Sequence, residues 1–233
     1  MKLIRTLALL TGLMVLSGVS QAQFSSTWTA VSDYDFRGWS QSSKNPALQA
    51  SADYAFGESG FSMGTWASNV DFGTGSDADI ELDVYANYAG KINDTFAITA
   101  GVTYYSYPGS DTAGDFPEIY VGFNAGNFAF KQWYADKLFD IEDNSAQYTE
   151  ANYTQPIGDN FSLAFHVGYA WGDAWEAEEL IDYALQANWT FNKFTLFAKF
   201  TGTDADETKV ETDANNNEAR FLIGAMTTFP WGE

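Results

Sequence analysis

The chain of 233 residues has no cysteine and a single histidine. It therefore has no disulfide frame, no thiolate zinc site and no thiol nucleophile. One histidine cannot supply a cluster of imidazole ligands, and it confines any histidine-based catalysis to His166. Basic residues are scarce as well: 11 Lys and Arg stand against 31 Asp and Glu, for a formal charge of −20. Nucleic-acid binding needs cations that displace the counterions of phosphate, so that class of partner is not expected. Beyond residue 22 no apolar run approaches the roughly 20 residues that carry a helix across a bilayer. What the chain does have is apolar surface, with 45 % hydrophobic residues, 17 % aromatic and only 18 % charged. Such a composition is too apolar for a disordered chain.

Residues 1–22 read as a secretory signal peptide. Lys2 and Arg5 supply the positive start, 6–18 a short apolar stretch, and Ser20 and Ala22 the small residues before a cut at Ala22/Gln23. No cysteine follows the cut, so a lipid anchor is not indicated. The expected organisation is a signal peptide over 1–22 and one domain over 23–233.

Past residue 22 the dominant signal is alternation with period two, the pattern of strands with one apolar and one polar face. It is clearest over 161–171, where Phe161, Leu163, Phe165, Val167, Tyr169 and Trp171 alternate with small or polar residues. The same pattern predicts strands over 80–88 and 181–189, and further strands over 24–36, 48–56, 61–69, 96–104, 119–125, 128–134, 147–155, 194–200 and 221–229. The connections between them are sorted. Five short turns (57–60, 90–94, 126–127, 156–160, 192–193) alternate with six longer ones (38–45, 70–79, 108–116, 137–146, 172–180, 203–218), acidic in all but the first. A soluble sandwich has no reason to sort its loops in this way. An outer-membrane barrel does, because its periplasmic turns are short and its external loops long. Aromatics gather at both strand ends, with Phe56, Phe61, Tyr88 and Phe96 beside short turns and Tyr34, Phe36, Tyr104 and Tyr169 toward long ones. They read as two interfacial girdles. The predicted fold is all-β: a transmembrane antiparallel up-and-down β-barrel of about twelve strands, placed in the outer membrane of a Gram-negative bacterium. Expected partners are outer-membrane lipid, lipopolysaccharide and the barrel-assembly machinery, which reads a terminal aromatic. Here Phe229 fills that place, followed by a tail over 230–233.

Several motifs in the N-terminal half are distinctive. They are Ser32-Asp33-Tyr34-Asp35-Phe36-Arg37-Gly38-Trp39-Ser40-Gln41, Gly64-Thr65-Trp66-Ala67-Ser68-Asn69-Val70-Asp71-Phe72, Glu81-Leu82-Asp83-Val84-Tyr85 and Tyr104-Tyr105-Ser106-Tyr107-Pro108-Gly109. On these motifs the chain resembles the TorF family of porin-like proteins, the Gcw_chp family of proteobacterial conserved proteins. The resemblance implies an outer-membrane barrel and says little about substrate.

If the large apolar positions face lipid, the alternate set lines the lumen. The candidate pore-lining or constriction residues are Asp33, Asp35, Arg37, Asp53, Glu81, Asp83, Lys131, His166, Asp182, Lys199 and Arg220, with Gln49, Asn87, Glu150 and Gln186 on the same face. Arg37 is expected opposite Asp33, Asp35, Asp53, Glu81 and Asp83. Two readings compete. The charges line water and set ion selectivity, or they pair across a narrow lumen and close it, because an unpaired charge away from water is costly. The acidic external loops would concentrate cations at the mouth. A lipid-active barrel enzyme is a further alternative and would rest on His166 with Ser162, a weak spacing. The stretch 213–217 imitates a calcium loop, but Glu218 stands at its sixth position and Gly224 at its twelfth, so it fails. Asp204, Asp206 and Glu207 could hold at most a loose divalent ion. No catalytic residue, cofactor or metal is called for. The expected function is passive diffusion of small hydrophilic solutes or ions, cations preferred. No interface is legible from which to read an oligomeric state.

Overall fold

The computed structural model describes residues 23–176, 179–205 and 218–231. The predicted signal peptide lies outside the described residues, as do Glu178, Asp206, Glu207, Glu211 and the calcium-loop mimic. The strands in chain order are β1 (Gln23–Val31), β2 (Asp35–Phe36), β3 (Trp39–Ser40), β4 (Ala47–Ala55), β5 (Phe61–Asn69), β6 (Ile80–Lys91), β7 (Phe96–Ser106), β8 (Phe116–Ala125), β9 (Phe128–Ala135), β10 (Ala146–Ile157), β11 (Phe161–Trp171), β12 (Leu180–Phe191), β13 (Phe194–Thr203) and β14 (Arg220–Phe229). Twelve of them close an antiparallel barrel, each beside its sequence neighbour, with β1 paired to both β4 and β14. β2 and β3 form a separate two-stranded hairpin. The barrel strands run from 8 residues in β9 to 12 in β6, β10 and β12, the length a tilted strand needs to span a bilayer.

Period two explains the wall. Along each strand most of the large apolar side chains point outward and most of the polar or small ones inward, with Phe116, Leu222 and several tyrosines as buried exceptions. Phe221, Ile223 and Val121 are 80, 66 and 63 % exposed. A contiguous apolar band of this kind has no place on a water-soluble surface, but against lipid it is stable. Among the described residues no helix is long and apolar enough to cross a membrane, so the crossing is made by strands. At the short-turn end, rings pair as Tyr54–Phe56, Phe61–Tyr88, Phe96–Phe123 and Trp189–Phe191. The tail folds back onto this girdle: Trp231 stacks on Phe229 at 4.6 Å, and its Nε1 donates to Thr227 Oγ1 at 2.9 Å. At the opposite rim the outward-facing Tyr104, Tyr134 and Tyr169 turn their hydroxyls up to the loop carboxylates Asp115, Asp136 and Glu179. A ring in the apolar zone with its hydroxyl in water is the arrangement an interface favours.

One strand departs from the sequence reading. Alternation predicts a strand over 24–36, yet β1 stops at Val31 and residues 32–46 turn into the lumen. The last ladder contacts are made by Ser32, whose N–H donates to Ile223 O and whose Oγ accepts from Ile223 N. Beyond it the polar residues find partners inside the barrel, and β4 resumes at Ala47, the register partner of Val31.

Candidate functional site

The inward segment is a tight hairpin. Phe36 pairs with Trp39 across Arg37 and Gly38, whose φ angles are +51° and +83°. Two consecutive positive φ values are those of the two-residue turn whose twist suits a hairpin. Gly38 is also jammed against the wall: a Cβ there would lie 2.5 Å from Thr203 Cγ2 and 2.9 Å from Asp182 Cβ. The base of the hairpin is drawn together by Asp33, which accepts from Ser40 and Ser42. Its return leg is tied to the loop over 70–79, where Asp71 N–H donates to Gln41 O at 2.8 Å.

Ion pairs fasten the hairpin on two sides of the lumen. On β14, Arg220 donates through Nε to Asp33 Oδ2 at 2.5 Å, through Nη2 to Asp35 Oδ1 at 2.6 Å and through Nη1 to Gly38 O at 2.7 Å. On β13, Lys199 Nζ meets Asp35 Oδ2 at 2.5 Å. Across the lumen, Arg37 forks onto Glu118 of β8 at 2.9 and 2.6 Å, while Tyr105 adds a hydrogen bond to the same carboxylate. Charge-assisted bidentate contacts of this kind are stronger than neutral ones and fix orientation. Tyr34 donates to Glu81 of β6 at 3.0 Å. The hairpin thus straps one wall to the other.

The remaining predicted site residues face the lumen in local networks. His166 binds Asp182 through Nε2 at 2.8 Å and Asn152 through Nδ1 at 2.7 Å, and Tyr148 donates to the same Asp182 at 2.9 Å. Ser162 instead accepts from Asn188, so no serine–histidine pair forms. Lys131 lies opposite Glu150 in the β9–β10 register and sits over the Tyr120 and Trp133 rings at 4.5 and 5.0 Å. Asp53 accepts from Tyr85 and from Ser51. Asp83 Oδ1 is buried with no hydrogen-bond partner among the described residues. Two expectations change. Asp33, Asp35 and Arg37 belong to the hairpin rather than to the first strand, and the carboxylate that Arg37 engages is Glu118, because Arg220 and Lys199 hold Asp33 and Asp35. Glu118 lies just outside the strand that alternation predicts from Ile119, whereas β8 starts at Phe116. The alternation of Glu118 with Tyr120 and Asn124 extends the strand upward and would have found it.

The two ends of the lumen differ. Toward the long loops, Tyr34, Val70, Ala78, Tyr107 and Leu138 pack into one buried cluster with the wall residues Val31, Phe116, Ala135 and Leu222. Toward the short turns, the wall is neutral and half-buried, as at Ser62, Asn87, Thr99, Asn124, Asn152 and Thr190. At the mouth, Asp77 gathers Ser110 Oγ at 2.6 Å, Thr112 Oγ1 at 2.5 Å and the Asp111 N–H at 3.1 Å. These donors, Ser110 first, hold its carboxyl well below the usual range. Lys44 likewise lowers Glu218, 2.7 Å away, and Glu142 raises Lys137. Among the described residues no cluster of three ligating side chains could hold a metal.

The barrel superimposes on the KdgM porin solved with disordered oligogalacturonate, with a TM-score of 0.58, 11 % identity and coverage of 88 % of this chain and 99 % of that one. For the NanC porin the values are 0.53, 12 %, 88 % and 98 %. For the Acinetobacter baumannii outer membrane protein Omp33 they are 0.53, 10 %, 90 % and 99 %. At such identities the likeness is one of fold, a barrel of the kind found in the outer membrane of Gram-negative bacteria. No curated protein matches the sequence. A family profile does, over residues 16–229, nearly the whole described barrel, and the chain belongs to Gcw_chp, a family of bacterial proteins of unknown function.

Proposed function

We propose that the protein is a narrow outer-membrane diffusion channel for small hydrophilic solutes or ions, selective for cations, with the hairpin over 32–46 as its constriction. The observation that carries this reading is an unbalanced wall. Asp53, Glu81 and Asp83 line β4 and β6, and none is in an ion pair among the described residues. On the far side, Arg220 and Lys199 are engaged by Asp33 and Asp35 of the hairpin itself. Unpaired acids on the wall of a narrow lumen raise the local cation concentration. The fold shared with KdgM, NanC and Omp33 supports a channel, as does the porin character implied by the TorF resemblance. Permeation then needs no chemistry, and His166, locked between Asn152 and Asp182, serves as a lumen polar group.

The test is single-channel recording of refolded residues 23–233 in a planar bilayer under a KCl gradient. Discrete steps with a cation-directed reversal potential are expected, moving toward zero in the E81Q/D83N double variant. An unchanged reversal potential would overturn the assignment of these acids. A second reading is favoured by the strap and the apolar cluster above it: a structural or adhesive barrel whose lumen is closed. Silence from protein shown to be folded and inserted would select it.

A further inference from the structure

The lumen already holds two cations between aromatic faces and a carboxylate, and both are its own side chains. Arg37 lies 4.1 Å over Tyr148 and 4.7 Å over Phe36, forked by Glu118. Lys131 lies over Tyr120 and Trp133 with Glu150 beside it. Ring faces attract a desolvated cation, and the carboxylate fixes it. The same ingredients recur on β5–β7, and among the described residues no cation sits between them. Asp83 has Trp66 of β5 and Tyr105 of β7 as its cross-strand neighbours. Tyr34 tilts onto Trp66 with ring centres 5.2 Å apart and donates to Glu81, two residues along the same face. Asp83 is only 7 % exposed, and its Oδ1 lacks any donor. The other lumen carboxylates described above each accept at least one hydrogen bond. A buried oxygen left so is costly.

We propose that Asp83, with Glu81 and the rings of Trp66, Tyr34 and Tyr105, forms a binding site for a compact organic ammonium cation. The proposal deepens the reading of the lumen as a cation path and rests on it. An N–H cation is favoured over a metal ion on three grounds. The orphan oxygen needs a donor. Beside the rings of Trp66, Tyr34 and Tyr105 the site has one further carboxylate, Glu81, too few oxygens for a metal's shell. Among the described residues no ligating cluster for a metal exists. With Asp83 only 7 % exposed, a small cation such as methylammonium is the occupant proposed.

Binding is read without conduction. Refolded barrel in detergent is unfolded by heat and followed by circular dichroism, with methylammonium, tetramethylammonium or potassium chloride at constant ionic strength. Methylammonium is expected to raise the midpoint saturably by roughly 2–5 °C. Potassium and tetramethylammonium, which lack N–H donors, are expected to leave it where it was. D83N is expected to abolish the rise, and D77N, which removes an acid outside the lumen, to keep it. Should D83N fail to fold, W66L serves, with half-saturation moved at least about fivefold higher. Equal shifts from all three salts, no shift from any, or a methylammonium shift unchanged in D83N or W66L would overturn the site. Binding without current sinks the channel and keeps the site, whereas selective current without a saturable shift does the reverse.

Discussion

Arg220 carries much of the hairpin's attachment, through two carboxylates and the Gly38 carbonyl. Removing one member of a buried pair costs about 3–5 kcal/mol when the other stays buried. Here the other members can leave, because Asp33 and Asp35 sit on a loop that can swing into water. The loss is therefore capped by the docking energy of the hairpin and shows as undocking. R220A is expected to open the bond after Arg37 to trypsin in a barrel that stays folded, with R220K intermediate because an ammonium cannot fork. Equal digestion of R220A and the parent would contradict this. At the mouth, Asp77 has a depressed carboxyl. Its contribution is fully present above the unfolded value near 4 and is lost as pH falls through the folded one. The Asp111 and Thr112 amides should keep their hydrogen-exchange protection at pH 5 and lose it only in strong acid, whereas in D77N they should be less protected already at pH 5. The charges of the lumen were legible in the sequence. Their partners were not, because the pairing of Arg37 with Glu118 depends on a turn that alternation conceals.

The hairpin owes its position to backbone shape as much as to charge. Gly38 combines φ of +83° with contact to Thr203 and Asp182, whereas Gly57 has φ of +59° and open space around it. A side chain at Gly57 meets only conformational strain, on the order of 1 kcal/mol. At Gly38 it also meets the wall. G38A is therefore expected to dislodge the hairpin and raise single-channel conductance, and G57A to leave conductance unchanged. The reverse order in recordings would rule out the hairpin as constriction. The strands β5 and β11 coincide with their sequence predictions because lipid on one side and a largely polar lumen on the other enforce period two, with Trp66 the large ring on the inner face of β5. The first strand was over-extended for a related reason. Tyr34 and Phe36 continue the apolar spacing of β1, but they serve an apolar cluster inside the mouth, and spacing alone cannot tell lipid from such a cluster.

For the barrel as a whole, the strap is an addition to a complete wall. Val31 and Ala47 are register partners, so replacing 32–46 by Asn-Gly should close β1 onto β4 with a tight turn. The shortened protein is expected to fold, to conduct several-fold more, and to lose cation preference as salt rises from about 0.1 to 1 M and screening shortens. A deletion that conducts no better would show that the path is blocked elsewhere. The strap has one more consequence, for how the cylinder holds together. Its first and last staves meet along β1 and β14, where register pairs run from Ser26–Phe229 to Val31–Gly224 with Ser32 and Ile223 beyond them, while β10 and β11 pair over the longer stretch from Gln147–Trp171 to Ile157–Phe161. Asp33 and Asp35 leave β1 and are gripped by Arg220 and Lys199 on β14 and β13. The same ion pairs that narrow the passage therefore latch the short seam by which the cylinder was closed, and a barrel without them should part first along that line.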